Sequence, residues 1–372
     1  MINASLSGAI EEIQKEGFQG KILAARYGSA GLLKEDFIDL TSLSKRDLSL
    51  LRHTPGSAIG TCRYPLHEKE YEQIVEILRK NDIKYVLFTG GNGTMDTLGH
   101  IHEHAEARHY DIVCDGIPKT VDNDVAVTDH APGFPSIARY MAESVHEIAQ
   151  DVKGLPIHVV IIEAMGRDAG WVTASAALAR QKKGDAPQLL YFPELAFNEE
   201  QFLADVERQH QKHGGVIVVV SEGLHFSDGS SIVEPIFRSD RAVYFGDVAT
   251  HLAGLVIKKL GIKARSEKPG LFARASSTLA SSLDIEEAVR LGALAAKTAL
   301  EGKTGYMAGL KRLSSSPYKT EDILIPIREV MLSERTMPRS YINSEGNDVS
   351  EEFLEWGQPL IGELTPMISF LD

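Results

Sequence analysis

The chain has 372 residues, 43% hydrophobic and 24% charged, which excludes disordered and collagen-like classes and leaves length for two packed domains. Thirty-nine basic against 52 acidic side chains give a net charge of −13, so the surface as a whole repels nucleic acid and anionic membrane, and a phosphorylated ligand must be drawn in by local cations. Two cysteines, Cys62 and Cys114, exclude a disulfide framework, no run approaches a membrane span, and the opening residues are not those of a signal peptide; a cytoplasmic protein is expected.

In chain order, residues 4–16 read as a helix, followed by a short apolar run at 21–25. Similar runs recur at 83–89, 111–117, 157–164, 188–192 and 216–221. Without polar alternation they suit strands buried on both faces, as in a parallel sheet. Helical patterns lie between them: 68–79, with Tyr71, Ile74, Val75 and Leu78 on one stripe, then 137–152, then 283–300, where Asp284 and Glu287 have capping-box spacing. The alternation predicts a doubly wound α/β fold. Such a domain usually opens on a strand, whereas this sequence opens on a helix, so the first strand of the N-terminal domain is expected to be missing. Residues 313–372, punctuated by Ser314, Ser315, Ser316, Pro317, Pro338 and Asn347, read as an appended, partly helical region.

Polar chemistry gathers where the predicted strands end. Gly90-Gly91-Asn92-Gly93-Thr94 lies between a strand and a helix expected near Met95. Glycines there let backbone N–H groups approach a phosphate, and the helix start favours negative charge. The next strand ends in Pro118-Lys119-Thr120-Val121-Asp122-Asn123-Asp124, which offers a base, a magnesium carboxylate and a cation together, the set that phosphoryl transfer needs. A third ends in Met165-Gly166-Arg167-Asp168-Ala169-Gly170, where Arg167 can grip a phosphate, and a fourth delivers Glu222-Gly223, a carboxylate for sugar hydroxyls. In open α/β sheets ligands bind outside the carboxyl ends of strands. Plain βα turns and a solvated charged loop are the alternative readings of each motif taken singly.

In this order and spacing the three motifs, Gly90 to Thr94, Pro118 to Asp124 and Met165 to Arg167, resemble the phosphofructokinase family over nearly the whole chain. The resemblance implies two doubly wound three-layer domains with mostly parallel sheets and the active site between them. A phosphoryl-donor domain would span 1–133 plus 273–325, a sugar-phosphate domain 134–272, and a C-terminal extension 326–372. It further implies phosphorylation of the C1 hydroxyl of fructose 6-phosphate with Mg2+ and either ATP or pyrophosphate, and a homo-oligomer, dimer or tetramer. Carried over by position, Asp122 is the base, assisted by Lys119 and by Arg63, which bridges donor and acceptor phosphates. Gly91, Asn92, Gly93 and Thr94 hold the donor. Asp124 and Asn92 belong to the metal site. Thr120, Met165, Gly166, Arg167 and Glu222 hold the sugar phosphate, with Arg265 and Arg274 on its 6-phosphate, one of them reaching across a subunit interface.

The donor is argued from two positions that disagree. Pyrophosphate-using relatives usually carry an aspartate where this chain has Gly93, and its absence opens room for ATP. Lys119 and the C-terminal stretch, including Tyr341-Ile342-Asn343 and Pro359-Leu360-Ile361-Gly362, are typical of pyrophosphate users. Sterics weighed above ancestry favour ATP. Asn92 in place of a common aspartate, Leu271 where a histidine or tyrosine usually touches the 6-phosphate, His158 where ATP users offer an arginine, and the absent first strand keep a catalytically impaired paralogue as a rival. Of the weaker signals, His100, His102, His104 and His109 read as a solvated helix surface, Trp171 and Trp356 as packing, and Cys114 as a small buried hydrophobe.

Overall fold

A computed structural model describes residues 1–182, 184–238 and 243–371, and the chain divides into two compact units. The first unit comprises Met1–Thr120, Asp124–Gly133 and Ser282–Arg335, the second Val121–Asn123, Phe134–Ser281 and Thr336–Asp372. The stretch expected as a separate extension is thus shared, 326–335 with the first unit and 336–372 with the second, and residues 273–281 go with the second unit as well.

The chain opens with α1 (Ile2–Lys15), β1 (Leu23–Ala25), α2 (Ser29–Leu32), β2 (Phe37–Asp39), α3 (Lys45–His53), α4 (Glu68–Lys80), β3 (Tyr85–Gly90), α5 (Asn92–Ala107) and β4 (Val113–Pro118). In the second unit follow α6 (Phe134–Gly154), β5 (Val159–Ala164), α7 (Trp171–Ser175), β6 (Leu189–Tyr191), α8 (Glu199–His213), β7 (Val216–Ser221), β8 (Pro235–Arg238), β9 (Val243–Phe245), α9 (Val248–Leu260), β10 (Ala264–Glu267) and α10 (Gly270–Ala275). The chain returns to the first unit for α11 (Ser282–Leu300), β11 (Tyr306–Ser315) and β12 (Tyr318–Pro326), and ends in the second with α12 (Glu351–Ile361).

The first unit's sheet has the order β12-β11-β4-β3, parallel except for β12. One face packs Tyr71, Ile74, Val75 and Leu78 of α4 and Met95, Leu98 and Ile101 of α5, as the helical stripe predicts. The other face packs Ile117, Ala308 and Leu310 against Leu291 and Ala295 of α11. The second unit's sheet, β10-β5-β7-β6, is parallel throughout. Val159, Ile161, Val216, Val218 and Val220 face Phe202 and Val206 of α8 and Leu252 and Val256 of α9, and every residue of β5 and β7 is buried. Continuous β-branched runs are what strands covered on both faces require.

Three expectations are corrected. The run at 21–25 does not enter a parallel sheet: β1 pairs antiparallel with β2, Leu23 opposite Asp39, in a separate two-stranded ribbon. Residues 306–326 form a long antiparallel hairpin whose turn is Ser316-Pro317, since Ser315 pairs with Tyr318; the serine–proline cluster that reads as the end of regular structure is the hairpin's tip. α11 begins at Ser282, so Asp284 lies inside its first turn and the pair is not a capping box with Asp284 at the N-cap. Asp284 accepts from Gly133 N at 2.9 Å, and Glu287 is spent on His130 and Tyr318, both at 2.7 Å.

Candidate active site

β3 and β4 are parallel neighbours with Gly90 level with Pro118, which sets the two loops that follow them side by side. Gly91 is the N-cap of α5, so the helix begins at Asn92, before Met95. Thr94 N already donates to Gly91 O at 2.9 Å; the amides of Asn92 and Gly93 precede the first such bond, at the positive end of the helix dipole. A Cβ on Gly90 would lie 2.2 Å from Thr94 Oγ1, so that position admits no side chain; one on Gly93 would meet nothing within 4 Å, so crowding does not impose glycine there. Lys119 N donates to Gly90 O at 2.8 Å, and buried Thr120 donates through its N to Pro132 O at 3.1 Å. Arg63 is exposed on the link between α3 and α4.

Asn92 and Asp124 meet. Asn92 Nδ2 donates to Asp124 Oδ2 at 2.9 Å and to Asp124 O at 3.1 Å. The remaining oxygens, Asn92 Oδ1 and Asp124 Oδ1, are buried and accept from nothing, a costly arrangement for polar atoms. Two hard oxygens beside a helix start fit magnesium, which takes one or two protein oxygens and completes its shell with water and phosphate. Among the described residues no group of three or more His, Cys, Asp or Glu forms a metal cage.

Asp124 opens a loop that sequence reading passed over. Val127, β-branched, has φ +70°, and Thr128 N donates across it to Ala126 O at 2.9 Å, a tight turn that costs about 1–3 kcal/mol. Its surroundings fix it: Thr128 Oγ1 donates to His130 O and accepts from Leu310 N, while Arg335 Nη1 donates to Thr128 O and Asp129 O. Arg335 N donates to Asp124 O at 2.8 Å. His130 is fully buried between Asp129 and Glu287. Burial alone would lower its pKa, but the two carboxylates overcome this and raise it to about 8. The Asp129-His130 pair was the visible signal; nothing local identifies Glu287, 157 residues on, as the partner.

In the second unit β5 and β7 are neighbours, with Ala164 level with Ser221, and the loops after them are knitted together. Ser221 Oγ donates to Gly166 O at 2.6 Å, and Gly166 N donates to Glu222 Oε1 at 3.3 Å. Gly166 has φ +110°, and a Cβ on Gly223 would lie 1.7 Å from Arg167 O, so both glycines are dictated by backbone geometry. Burial, with Glu163 nearby, pushes the Glu222 carboxyl up, against the pull of the Gly166 amide. Arg167 is exposed and Met165 half-buried. Glu194, also missed, ties the Arg167 loop to the C-terminal segment: its Oε1 accepts from Gly170 N at 2.7 Å and Met337 N at 3.0 Å. Asp122 is half-buried and falls in this unit, whereas Asp124 falls in the first. Arg265 is exposed on β10 level with Val160, and Arg274 is exposed on α10.

The weaker signals resolve locally. His102 and His104 are largely covered rather than solvated, with His104 stacked on Tyr71 at 5.6 Å. Trp171 and Trp356 are buried 5.0 Å apart in packing that includes Phe134, Tyr341 and Phe353. His158 is buried and its pKa lowered, by burial first and then by Arg265 and Lys263; Leu271 is exposed.

The family model described as phosphofructokinase matches residues 1–299. The chain is 38% identical over 377 residues to a pyrophosphate–fructose 6-phosphate 1-phosphotransferase of Xanthomonas campestris pv. campestris (strain B100), covering 99% of this chain and 90% of the relative. It is 36% identical over 372 residues to an enzyme of the same name from Halomonas elongata, covering 97% and 88%. The crystal structure of a pyrophosphate-dependent phosphofructokinase from Marinobacter aquaeolei superimposes with a TM-score of 0.89 at 37% identity, covering 99% of this chain and 90% of that one. With the glycine turn, the Asp124 loop and the Arg167 loop standing at the ends of parallel strands, and the family model matching through residue 299, this chain belongs to the phosphofructokinase family.

Proposed function

We propose that the chain transfers a phosphoryl group from pyrophosphate to the C1 hydroxyl of fructose 6-phosphate. The observation that carries this reading is the Asn92–Asp124 pair, whose buried Oδ1 atoms lack partners beside the start of α5. The names of the relatives favour pyrophosphate over ATP, the donor preferred from Gly93. The open space at Gly93 is permissive: it admits a larger donor without selecting one.

In this mechanism Asp122 takes the C1 hydroxyl proton as the oxygen attacks phosphorus. Gly91, Asn92, Gly93 and Thr94 hold the donor, and Lys119 and Arg63 offset charge on the transferring group and its leaving phosphate. Asn92 Oδ1 and Asp124 Oδ1 would hold magnesium, which supplies charge neutralisation for the donor phosphates when bound. Thr120, Met165, Gly166, Arg167 and Glu222 orient the sugar, and Arg265 and Arg274 bind its 6-phosphate. A dimer or tetramer belongs to the same reading, because one of those arginines would serve a neighbouring subunit; a single-chain mass by light scattering removes that part.

The test is a coupled assay offering each donor separately with fructose 6-phosphate. The expected kcat/KM with pyrophosphate exceeds that with ATP by at least about tenfold. Turnover with ATP alone would restore the Gly93 argument, and turnover with neither would leave the catalytically impaired paralogue.

A further inference from the structure

The loop that begins at Asp124 is held in a conformation it would not adopt by itself. Val127 sits at φ +70°, a region that β-branched residues avoid. Fully buried His130 supplies the loop's deepest anchor. Its Nδ1 lies 2.8 Å from Asp129 Oδ2 on its own loop, and its Nε2 lies 2.7 Å from Glu287 Oε2 on α11. Both carboxylates can accept from the ring at once only when both ring nitrogens carry hydrogen, the imidazolium form. Charged and titratable groups flank the bridge: Arg312 of β11 donates to Asp129 Oδ2 at 2.9 Å, Tyr318 of β12 and Arg290 of α11 lie against Glu287 Oε1 at 2.7 Å and 3.5 Å, and Asp322 of β12 pairs with Arg290 at 2.7 Å. The loop is also fastened by Leu310 N, which donates to Thr128 Oγ1, and by Arg335, which donates to the carbonyls of Thr128 and Asp129.

We propose that His130 is a positioning residue for the metal site: bridging Asp129 and Glu287, it holds the strained Asp124–Gly133 loop so that Asp124 stays against Asn92. The inference rests on the reading of Asp124 as a magnesium ligand. Groups that orient metal ligands typically carry 10–100-fold in metal affinity when removed. It also fixes a sign. Loss of the His130 proton leaves one of its two carboxylates without a donor, so metal affinity is full below the ordinary imidazole range and falls as pH rises through about 8. A plain carboxylate site would hold steady or gain over that range.

The probe is Mn2+ alone, followed by electron paramagnetic resonance on the full chain, for the wild type, His130→Asn and Glu287→Gln. The expected result is an affinity about 10–100-fold weaker in His130→Asn, with fructose 6-phosphate KM unchanged, faster amide exchange across 125–133, and no loss of affinity through pH 8 beyond that already suffered. Glu287→Gln keeps the shape of the bridge and should give the same change to a smaller degree. A folded His130→Asn that binds Mn2+ within about twofold of wild type overturns the inference, as does a wild type that binds no Mn2+. Should both variants fail to fold, the wild-type titration decides: affinity that is flat or rising through pH 8 overturns it, and affinity that falls supports it. A wild type that binds Mn2+ with the expected pH dependence, yet transfers phosphoryl from neither donor, sinks the proposed reaction and leaves the positioning role standing.

Discussion

Asp115 shows how one buried carboxyl can be read as chemistry when it is a matter of stability. It lies in β4, three residues before the Pro118 loop, with Oδ1 accepting from Tyr306 N at 2.9 Å and Oδ2 buried without a partner. Burial raises its pKa to about 7, only partly opposed by the Tyr306 hydrogen bond. The folded state therefore binds this proton more tightly than the unfolded chain, and stability falls as pH rises from the ordinary carboxyl range toward 7. Asp115→Asn keeps the acceptor without the charge. It should stabilise the protein by up to about 4 kcal/mol at pH 8 and by little at pH 4, as read from urea midpoints at the two pH values. Asp122 belongs to the opposite class. If it is the base, Asp122→Asn should cut kcat by about 10²–10⁴-fold while fructose 6-phosphate KM stays within about threefold. Unchanged turnover in a steady-state assay would remove it from that role. Asp115 lies inside a strand and Asp122 in the loop after it, and Asp115 is the more deeply buried of the two.

Between elements, α1 and α11 cross in close contact. A Cβ on Gly8 would lie 2.0 Å from Val289 O, and one on Gly292 would lie 2.0 Å from Ser5 O, so the two backbones are in contact. Ala in place of Gly inside a helix ordinarily gains about 1 kcal/mol. At Gly292 the sign should reverse, with Gly292→Ala destabilising by about 1–3 kcal/mol because the helices must separate; thermal melting against wild type measures it. The hairpin of β11 and β12 makes the complementary point. Met307, Ala308 and Leu310 are buried, whereas the distal half alternates between exposed and half-buried and carries a bulge between Arg312 and Ser314. A strand whose two halves have different surroundings has no single hydrophobic period, which is why sequence reading stopped at the serines.

For the molecule as a whole, the C-terminal segment is part of the second unit's core. Trp356 and Phe353 of α12 pack with Tyr341, Trp171 and Phe134. Polar ties reinforce them: Asn347 Nδ2 donates to buried Asp205 at 2.9 Å, Leu190 N donates to Asn347 O at 2.9 Å, and Ser281 Oγ donates to Leu360 O at 2.8 Å. Removing residues 336–372 would bare the aromatic faces of Trp171 and Phe134, and each buried aromatic lost costs about 3–5 kcal/mol, against a total stability of about 5–15 kcal/mol. A chain ending at Arg335 should therefore be cleaved by trypsin within 134–281 under conditions where the full chain resists. Equal resistance would show that the segment is dispensable.

The sequence by itself determined the α/β class, the strands β4 to β7 buried on both faces, and the loops at strand ends that hold the polar residues, whereas β3 is only half-buried. Those features are written locally, in apolar runs of strand length and in glycines at their ends. Tertiary structure alone decided the pairing of β1 with β2, the use of Glu287 on His130 instead of a helix cap, the tie of Glu194 to Gly170 and Met337, and the seating of the last 37 residues in the second unit. Each depends on groups far apart in the chain, whose partner is fixed by which buried polar atom would otherwise go unsatisfied and which apolar face would otherwise meet water.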